Sequence, residues 1–355
     1  MLEDIKEIQK YSEEYNVPYE DLLLMSLNLT GVKSNLPYPR IRFFIRLNSF
    51  PDDFYVGLPN NICESPFEIK ENKIYFLNEE IGKVRNIEND TCDETYFRRN
   101  KTALTLNSNS RSKCSGCKFC GTYAQDPSDR NNLLTRERLE NKFNELEKMY
   151  EIDYSTLVEI AICTGCFSSE NDVIEHLKLV REVADKRGFK GEIKYIGSQI
   201  VSEESLDFIE EEIAPFGYSL TVECFTRREQ LMKPIKSNVT LDLGRDVLRR
   251  CKERGFNTTF LYILGLDPLD IISKETAKYL PLLTRFPVIN LFQPYVKEHI
   301  LLRDESANRL EYYLRVRKEM EKLFMSTDLR PRSWENYRPL WYTKFGEEDI
   351  NDIRI

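Results

Sequence analysis

The sequence predicts an α/β fold in which six β/α units in a row build a curved parallel sheet, or a barrel short of the full eight, next to an N-terminal helical and β accessory region. Three observations predict it. From residue 101 onward short β-rich runs alternate with helical stretches. Those stretches carry apolar residues at i, i+3/i+4 spacing, and glycines stand where two of them should stop. Strand, helix and strand in succession imply right-handed crossovers and therefore parallel strands.

Taken in order, residues 1 to about 28 place apolar side chains at helical spacing: Ile5, Ile8 and Tyr11, then Leu22, Leu23 and Leu24. The proline-containing SNLPYPR separates them from RIRFFIRL and NKIYFLNEEIGKV, whose alternation and turn residues predict short strands and hairpins up to about residue 95. Residues 1–100 are thus an accessory region, 101–325 the β/α units, and 326–355 a C-terminal strap.

The units read TALTL (102–106) then LTRERLENKFNELEKMY; LVEIAI (157–162) then NDVIEHLKLVREVADKRG; IKYIG (193–197) then SEESLDFIEEEIA. They continue with SLTVE (219–223) then VTLDLGRDVLRRCKERG; TTFLYIL (258–264) then SKETAKYLPLL; and VINLF (288–292) then SANRLEYYLRVRKEMEKLF. Val173, Leu177, Val180 and Ala184 mark the inward face of one helix, and Gly188 and Gly255 sit as C′ residues. The charged RERLENKFNELEKMYE is a solvated helix face.

Composition bounds the function. At 355 residues with 41% hydrophobic and 12% aromatic side chains, the chain can bury a substantial core. A formal charge of −8 gives no reason to expect nucleic-acid binding. No run of about 18 apolar residues occurs, and the acidic start MLEDIKEIQKYSEEYN is not a signal peptide, so no membrane partner is expected. Nine cysteines, an odd number with three crowded together, point away from a secreted disulfide framework and toward metal-bound thiolates in a reducing cytoplasm.

Those three lie in RSKCSGCKFC (111–120): Cys114, Cys117 and Cys120, in the loop after the first barrel strand. Parallel β/α architectures place their sites at that edge. Three close thiolates can hold three irons of a 4Fe-4S cluster and leave the fourth iron open. They can equally be three ligands of zinc, with Cys163 or Cys166 of ICTGC as the fourth, or three unrelated buried cysteines.

The arrangement resembles the radical S-adenosylmethionine (radical SAM) superfamily, in its biotin-synthase-like branch. That family carries C-x3-C-x-Φ-C, with Φ aromatic, after the first strand of a partial (β/α)6 TIM barrel. Here Phe119 precedes Cys120, and the first gap is two residues, which makes a variant CxxCxxC motif. The resemblance covers about residues 101 to 325. It implies a 4Fe-4S cluster on Cys114, Cys117 and Cys120, and S-adenosyl-L-methionine on the open iron. It puts Thr164, Gly165 and Cys166 where the family has a Gly-rich turn, and Ser198 at the end of the third strand. Within TVECFTRREQLMKP, Glu223 and Arg228 take the parts that hold the nucleoside and the methionine carboxylate, with Arg227 as competitor. Gly265, in YILGLD, falls in the adenine-contacting stretch.

The resemblance further implies one electron from a donor such as flavodoxin or ferredoxin, reductive cleavage to methionine and a 5′-deoxyadenosyl radical, and hydrogen abstraction from a small-molecule substrate: an amino acid, nucleoside or biosynthetic intermediate. It implies oxygen sensitivity. Lyase, mutase and C–C or C–S bond-forming chemistry all stay open. Two other classes stand beside it: a non-radical SAM-dependent transferase with the same cluster, and a zinc-binding protein without catalysis.

The remaining residues are read one group at a time. Cys163 and Cys166 are half a set for a second cluster, small residues at a turn, or a hydrogen-atom donor; Cys224 belongs to the core. His176 is a solvent-side or packing residue. Gln293, Tyr295 and His299 share the loop after the sixth strand, and Gln293 and His299 are candidate substrate residues. The tail DLRPRSWENYRPLWY holds Arg330, Arg332 and Arg338 with Trp334 and Trp341. It reads as an arginine fork for a carboxylate or phosphate, with Arg332 the candidate, or as an aromatic strap with its arginines in water.

Overall fold

The N-terminal residues form two helices, α1 (Ile5–Tyr15) and α2 (Tyr19–Thr30), and five strands: β1 (Arg40–Leu47), β2 (Asp53–Pro59), β3 (Phe67–Lys70), β4 (Lys73–Phe76) and β5 (Glu79–Asn89). The computed structural model describes residues 5–91, 95–109, 116–121, 132–336 and 338–351, so Cys114 lies outside the described residues. The helical pattern is split at Asn16, whose φ of 47° is left-handed, and Pro18 then opens α2. The strands pair antiparallel in the order β2-β1-β5-β4-β3. Leu77 and Asn78 both have positive φ, the turn chemistry that a two-residue hairpin between β4 and β5 requires. Inward Ile41, Phe43, Ile45 and Leu47 of β1 are buried, as is nearly all of α2.

A second, seven-stranded sheet follows. Its edge strand β6 (Tyr96–Arg98) is antiparallel to β7 (Ala103–Leu106). Then β8 (Glu159–Cys163), β9 (Glu192–Gly197), β10 (Phe216–Glu223), β11 (Asn257–Leu264) and β12 (Val288–Leu291) add in parallel and in sequence order. Between and after them run α3 (Arg136–Tyr150), α4 (Glu170–Asp185), α5 (Glu203–Glu212), the short α6 (Arg228–Leu231) and α7 (Pro234–Ser237), α8 (Leu241–Glu253), α9 (Leu269–Tyr279) and α10 (Leu310–Phe324). Thr135, Ser169, Ser202 and Thr240 each cap a helix by accepting a backbone N–H with the side chain. Gly188 and Gly255 follow their helices with φ of 83° and 76°, as C′ residues do. No helix among the described residues is long and apolar enough to cross a membrane.

The alternation along these strands sorts the two faces. Leu104, Ile160, Ile193, Leu220 and Phe260 are buried apolar residues of one alternating set. Thr105, Lys194, Ser219, Thr221 and Asn290, from the other set, line an interior cavity. Polar side chains on this set need partners or a ligand, because an unmatched buried polar group is costly.

The sheet is strongly curled, and one ion cluster shows how far. Arg285, just before β12, donates to Glu159 at the start of β8 at 3.1 Å and to Glu192 at the start of β9 at 2.7 Å. In a flat sheet β12 and β8 would stand four spacings, or about 19 Å, apart. Curling brings the amino ends together around two carboxylates. Arg98 of β6 donates to Glu159 at 2.9 Å, and Lys194 of β9 lies 3.8 Å from it and 3.0 Å from Glu335. Burial alone would raise the Glu159 pKa, but Lys194, Arg98 and Arg285 outweigh it and hold the carboxyl at about 2.

The C-terminal residues run along the free edge of β12: Leu291 donates its N–H to Arg338 O at 2.8 Å, and Asn336 donates to Ile289 O at 2.7 Å. A hairpin of β13 (Lys344–Phe345) and β14 (Glu348–Asp349) ends the described chain. The N-terminal helices are tied in by Arg317 of α10, fully buried, which meets Asp21 of α2 at 2.6 Å, Glu321 at 2.8 Å and Leu340 O at 2.8 Å. Asp21 in turn accepts the N–H groups of Tyr342 and Thr343.

Replacing Glu159 by Gln leaves three buried cations around a neutral amide, with an expected loss of about 3–5 kcal/mol in guanidinium unfolding. The sign of the pH effect follows from the depressed pKa. The contribution of Glu159 is complete above its unfolded value of 4.5 and is lost as pH falls toward about 2. Unfolding free energies of wild type and E159Q should therefore converge in that window; curves that stay parallel would show that the cluster does not carry the acid sensitivity.

Candidate active site at the carboxyl edge of the curled sheet

The strand ends and their loops surround a cavity of about 230 Å³. Cys117, Phe119 and Cys120 enter it from the loop after β7. This loop is docked on the loop after β10 by Lys118, whose N–H donates to Leu231 O at 2.9 Å, and is turned by a Cys120 N–H to Cys117 O bond at 3.0 Å. Gly116 has φ of 131°, outside the range that side chains favour. A Cβ on Gly121 would fall 2.3 Å from the Tyr295 ring, so only glycine lets the loop pass there. Burial pushes the Cys117 thiol pKa up, and the Lys236 ammonium opposes that rise.

The loop after β8 supplies Cys163, Thr164, Gly165 and Cys166 to the same cavity. Asn109 stitches it to the first loop. Its N–H donates to Thr164 Oγ1 at 2.6 Å, its carbonyl accepts from Gly165 N at 3.1 Å, and its amide donates to Cys166 O at 3.0 Å. His176 is a packing residue, not a solvent-side one: it is buried on α4 with Nε2 2.7 Å from Ser108 Oγ, and burial lowers its pKa to about 4, which keeps it neutral. Cys224 is fully buried beside Met232.

The end of β10 carries the sharpest geometry. Cys224 N–H donates to Val222 O at 2.8 Å, so Glu223 is the centre of a γ-turn, with a left-handed φ of 65° and a register shift against β11. That conformation is costly for glutamate, and it is held from outside. Arg228 donates to Val222 O at 2.5 Å, Cys224 O at 2.9 Å and Val239 O at 2.8 Å. Its guanidinium is a brace for the turn and does not line the cavity. Asp267, fully buried, takes the N–H groups of Phe225 and Thr226 at 2.7 and 2.8 Å and the Tyr262 hydroxyl at 2.8 Å. Glu223 itself faces the cavity and meets Lys236 Nζ at 2.5 Å. Burial would lower the Lys236 pKa, but Glu223 and the nearby Cys166 and Cys117 raise it well above its ordinary value.

Cys117, Phe119, Cys120, Thr164, Gly165, Cys166, Glu223 and Gln293 are thus brought together around one cavity. Ser198, Arg228, Gly265, His299 and Arg332 do not line it. Gly265, with φ of 118°, packs on Phe292 and Tyr313. His299 is buried and accepts the Tyr295 N–H at its Nδ1. Arg227 reaches the carbonyls of Leu266 and Leu302. Arg332 lies 3.5 Å from Glu335 and over the Trp334 ring, half-buried outside the cavity, while Arg338 of the same tail does face the cavity. Gln293 is buried between Arg40 at 3.0 Å and Asn28 at 2.8 Å. Among the described residues no group of three or more His, Cys, Asp or Glu is disposed to hold a metal ion. Cys114, the remaining thiol of the RSKCSGCKFC stretch, lies outside the described residues.

Sequence reasoning missed Lys236, two residues beyond the MKP that ends the stretch read from β10, and it missed Arg42 and Asp90 of the N-terminal region. The signal for Lys236 was a cation following the strand-end glutamate at a distance that one short helix covers. Arg228→Ala should cost about 1.5–3 kcal/mol in unfolding free energy with no ligand present, since it strips charged donors from three half-buried carbonyls. Unchanged stability would return Arg228 to the ligand role that the resemblance implied.

No protein-family model matches the sequence, and no curated protein matches it. Solved structures do. A radical SAM methyltransferase from Sphaerobacter thermophilus is similar at 14% identity over 95% of this chain and 94% of that one, with a TM-score of 0.45. Streptococcus suis SuiB is similar at 11% identity over 55% of this chain, with a TM-score of 0.39. The radical S-adenosylmethionine methyltransferase TsrM from Kitasatospora setae, solved with cobalamin and a 4Fe-4S cluster bound, is similar at 14% identity over 56% of this chain and 36% of that one, with a TM-score of 0.38. The similarity to SuiB spans about two fifths, 41%, of that protein's length.

Proposed function

We propose that this chain is a radical SAM enzyme acting on a small molecule, with Cys114, Cys117 and Cys120 as the ligands of a 4Fe-4S cluster and S-adenosyl-L-methionine bound beside them. The observation that carries the reading is the convergence of Cys117, Phe119 and Cys120 with the Thr164–Cys166 turn and Glu223 on one interior cavity at the carboxyl edge of a curled parallel sheet. The donor chemistry fits: soft thiolates on a short loop suit an iron–sulfur cluster, and a three-thiol set leaves one iron for a substrate ligand.

Held by Cys114, Cys117 and Cys120, such a cluster would supply the one electron for reductive cleavage of the sulfonium of S-adenosyl-L-methionine. The chain's own residues bind, orient and exclude water. The Thr164–Cys166 turn, fixed by Asn109, forms the wall of the cavity at the methionine end of the ligand. Lys236, held by Glu223, takes the carboxylate-binding part that the resemblance gave to Arg228, whose guanidinium is committed to backbone carbonyls. Glu223, which lines the cavity beside Lys236, takes the part that holds the ribose. The walls of the curled sheet and the N-terminal residues enclose the reacting space, which protects a radical from side reactions. The electron comes from a donor such as flavodoxin or ferredoxin, in the cytoplasm, and no nucleic-acid or membrane partner is needed.

After anaerobic reconstitution with iron and sulfide, the protein should be brown and should release 5′-deoxyadenosine from S-adenosyl-L-methionine only when a strong reductant is added. Mass analysis of the nucleoside decides. 5′-Methylthioadenosine instead would mean non-radical transfer, and a colourless protein with zinc would remove the cluster altogether. Cys117→Ala should lose iron and turnover while its far-ultraviolet circular dichroism stays that of wild type.

A further inference from the structure

Three polar groups on the cavity wall are left unsatisfied by the protein itself. Ser219 and Thr221 of β10 and Asn107, the residue after β7, line the cavity and are each more than nine-tenths buried. Among the described residues neither hydroxyl has a hydrogen-bond partner, and Asn107 Oδ1 has none either. A buried polar atom without a partner is costly, so three of them around one space are most simply explained by a ligand that completes their bonds.

Their placement tells which ligand. Ser219, Thr221 and Glu223 alternate along β10 and all line the cavity. Glu223 ends the strand at the carboxyl edge, beside the cysteine loop, where S-adenosyl-L-methionine is proposed to sit. Ser219 and Thr221 lie deeper along the same strand, spaced by about 7 Å. They serve a second molecule beneath the cosubstrate. Asn107 adds its oxygen from the end of β7, three places away in the sheet.

The charges around the cavity are matched within the protein. Lys194 lies 3.0 Å from Glu335, Arg98 2.9 Å from Glu159, Lys236 2.5 Å from Glu223 and Arg42 3.0 Å from Glu88. Asp90 meets Arg40 at 3.0 Å, and Arg338 adds to the field on it. A charged substrate would have to compete with these pairs, whereas the hydroxyls and the amide oxygen can be engaged without breaking anything. A hydroxyl donates or accepts and an amide oxygen only accepts, so a ligand hydroxyl, which plays either part, answers all three. Beside them Ile196, Leu261, Ile263 and Val288 line the cavity and offer apolar surface for C–H faces.

We infer that the substrate is a neutral polyhydroxylated molecule, of the sugar or cyclitol kind, whose hydroxyl groups bond to Ser219, Thr221 and Asn107 below the cosubstrate. This assignment deepens the proposed function and rests on it for the chemistry, but not for the binding.

The test is calorimetric titration of the reconstituted full-length protein, with S-adenosyl-L-methionine and no reductant, using D-glucose, myo-inositol and D-glucuronate as probes. Wild type should bind at least one of the two neutral polyols, and D-glucuronate should bind no more tightly than D-glucose. S219A and T221V should each weaken polyol binding by about three- to ten-fold, as loss of one neutral hydrogen bond does, while T221S keeps it. Without polyol, S219A and T221V should melt at or above the wild-type temperature, because each trades an unmatched hydroxyl for an apolar group. No polyol binding, binding indifferent to both substitutions, or tighter binding of D-glucuronate overturns the assignment. So does a fall in melting temperature of about 3 °C or more in both variants, which would give the hydroxyls partners in the protein. Iron content and 5′-deoxyadenosine release are measured in parallel. Hydroxyl-dependent polyol binding in a protein that takes up no iron would sink the radical reading and leave this one standing; reductant-dependent 5′-deoxyadenosine without polyol binding would do the reverse.

Discussion

The fold depends on charge being drawn inside. Parallel sheets are ordinarily apolar on both faces. Here the amino ends of β8 and β9 carry Glu159 and Glu192, and Arg285 from the far side of the sheet binds both. Desolvating so many charges is expensive, so the cluster is tolerable only with nearly every member matched, and that condition specifies how far the sheet must bend. Arg98, Lys194 and Glu335 complete the set. Once the strands are bent, the opposite ends of β7 to β12 enclose a space, and the alternating hydroxyl and amide side chains above the ion cluster have somewhere to point.

At the other edge the loops are held by interactions that point backward, into the protein. Arg228 gathers three carbonyls around the left-handed turn at Glu223, Asp267 gathers the amides just beyond it, and Asn109 ties two loops together. Each uses its charge or amide on backbone. The effect is that Glu223, Lys236 and the Thr164–Cys166 turn face the cavity from fixed positions, which is what a site working by orientation requires.

Much of this was legible in the chain. TALTL, SLTVE and TTFLYIL announce strands because β-branched and apolar residues recur at short range, and the helices between them announce themselves by their stripes and caps. The three thiols are legible because seven residues hold them all. What could not be read was which face of SLTVE looks inward, since Ser219 and Thr221 are as compatible with a solvated face as with a cavity. Arg228 looked like a ligand because sequence shows a cation near a strand end, not the carbonyls that surround it. Contributions from the N-terminal sheet depend on contacts such as Arg40 with Gln293, 253 residues apart, and no local pattern encodes those.

Arg317 gives the last consequence. Its guanidinium is wholly out of water, and the partners that make this bearable come from three places: Asp21 near the start of the chain, Glu321 on its own helix, and carbonyls of the C-terminal segment. Withdraw Asp21 and a cation is stranded in the middle of the protein. The first helices are therefore not an appendage that can be trimmed to leave the curled sheet intact. The two extremities of the described chain and the helix after β12 are tied through one buried cation, and the segment that reads in sequence as an accessory region behaves as the clasp of a closed ring.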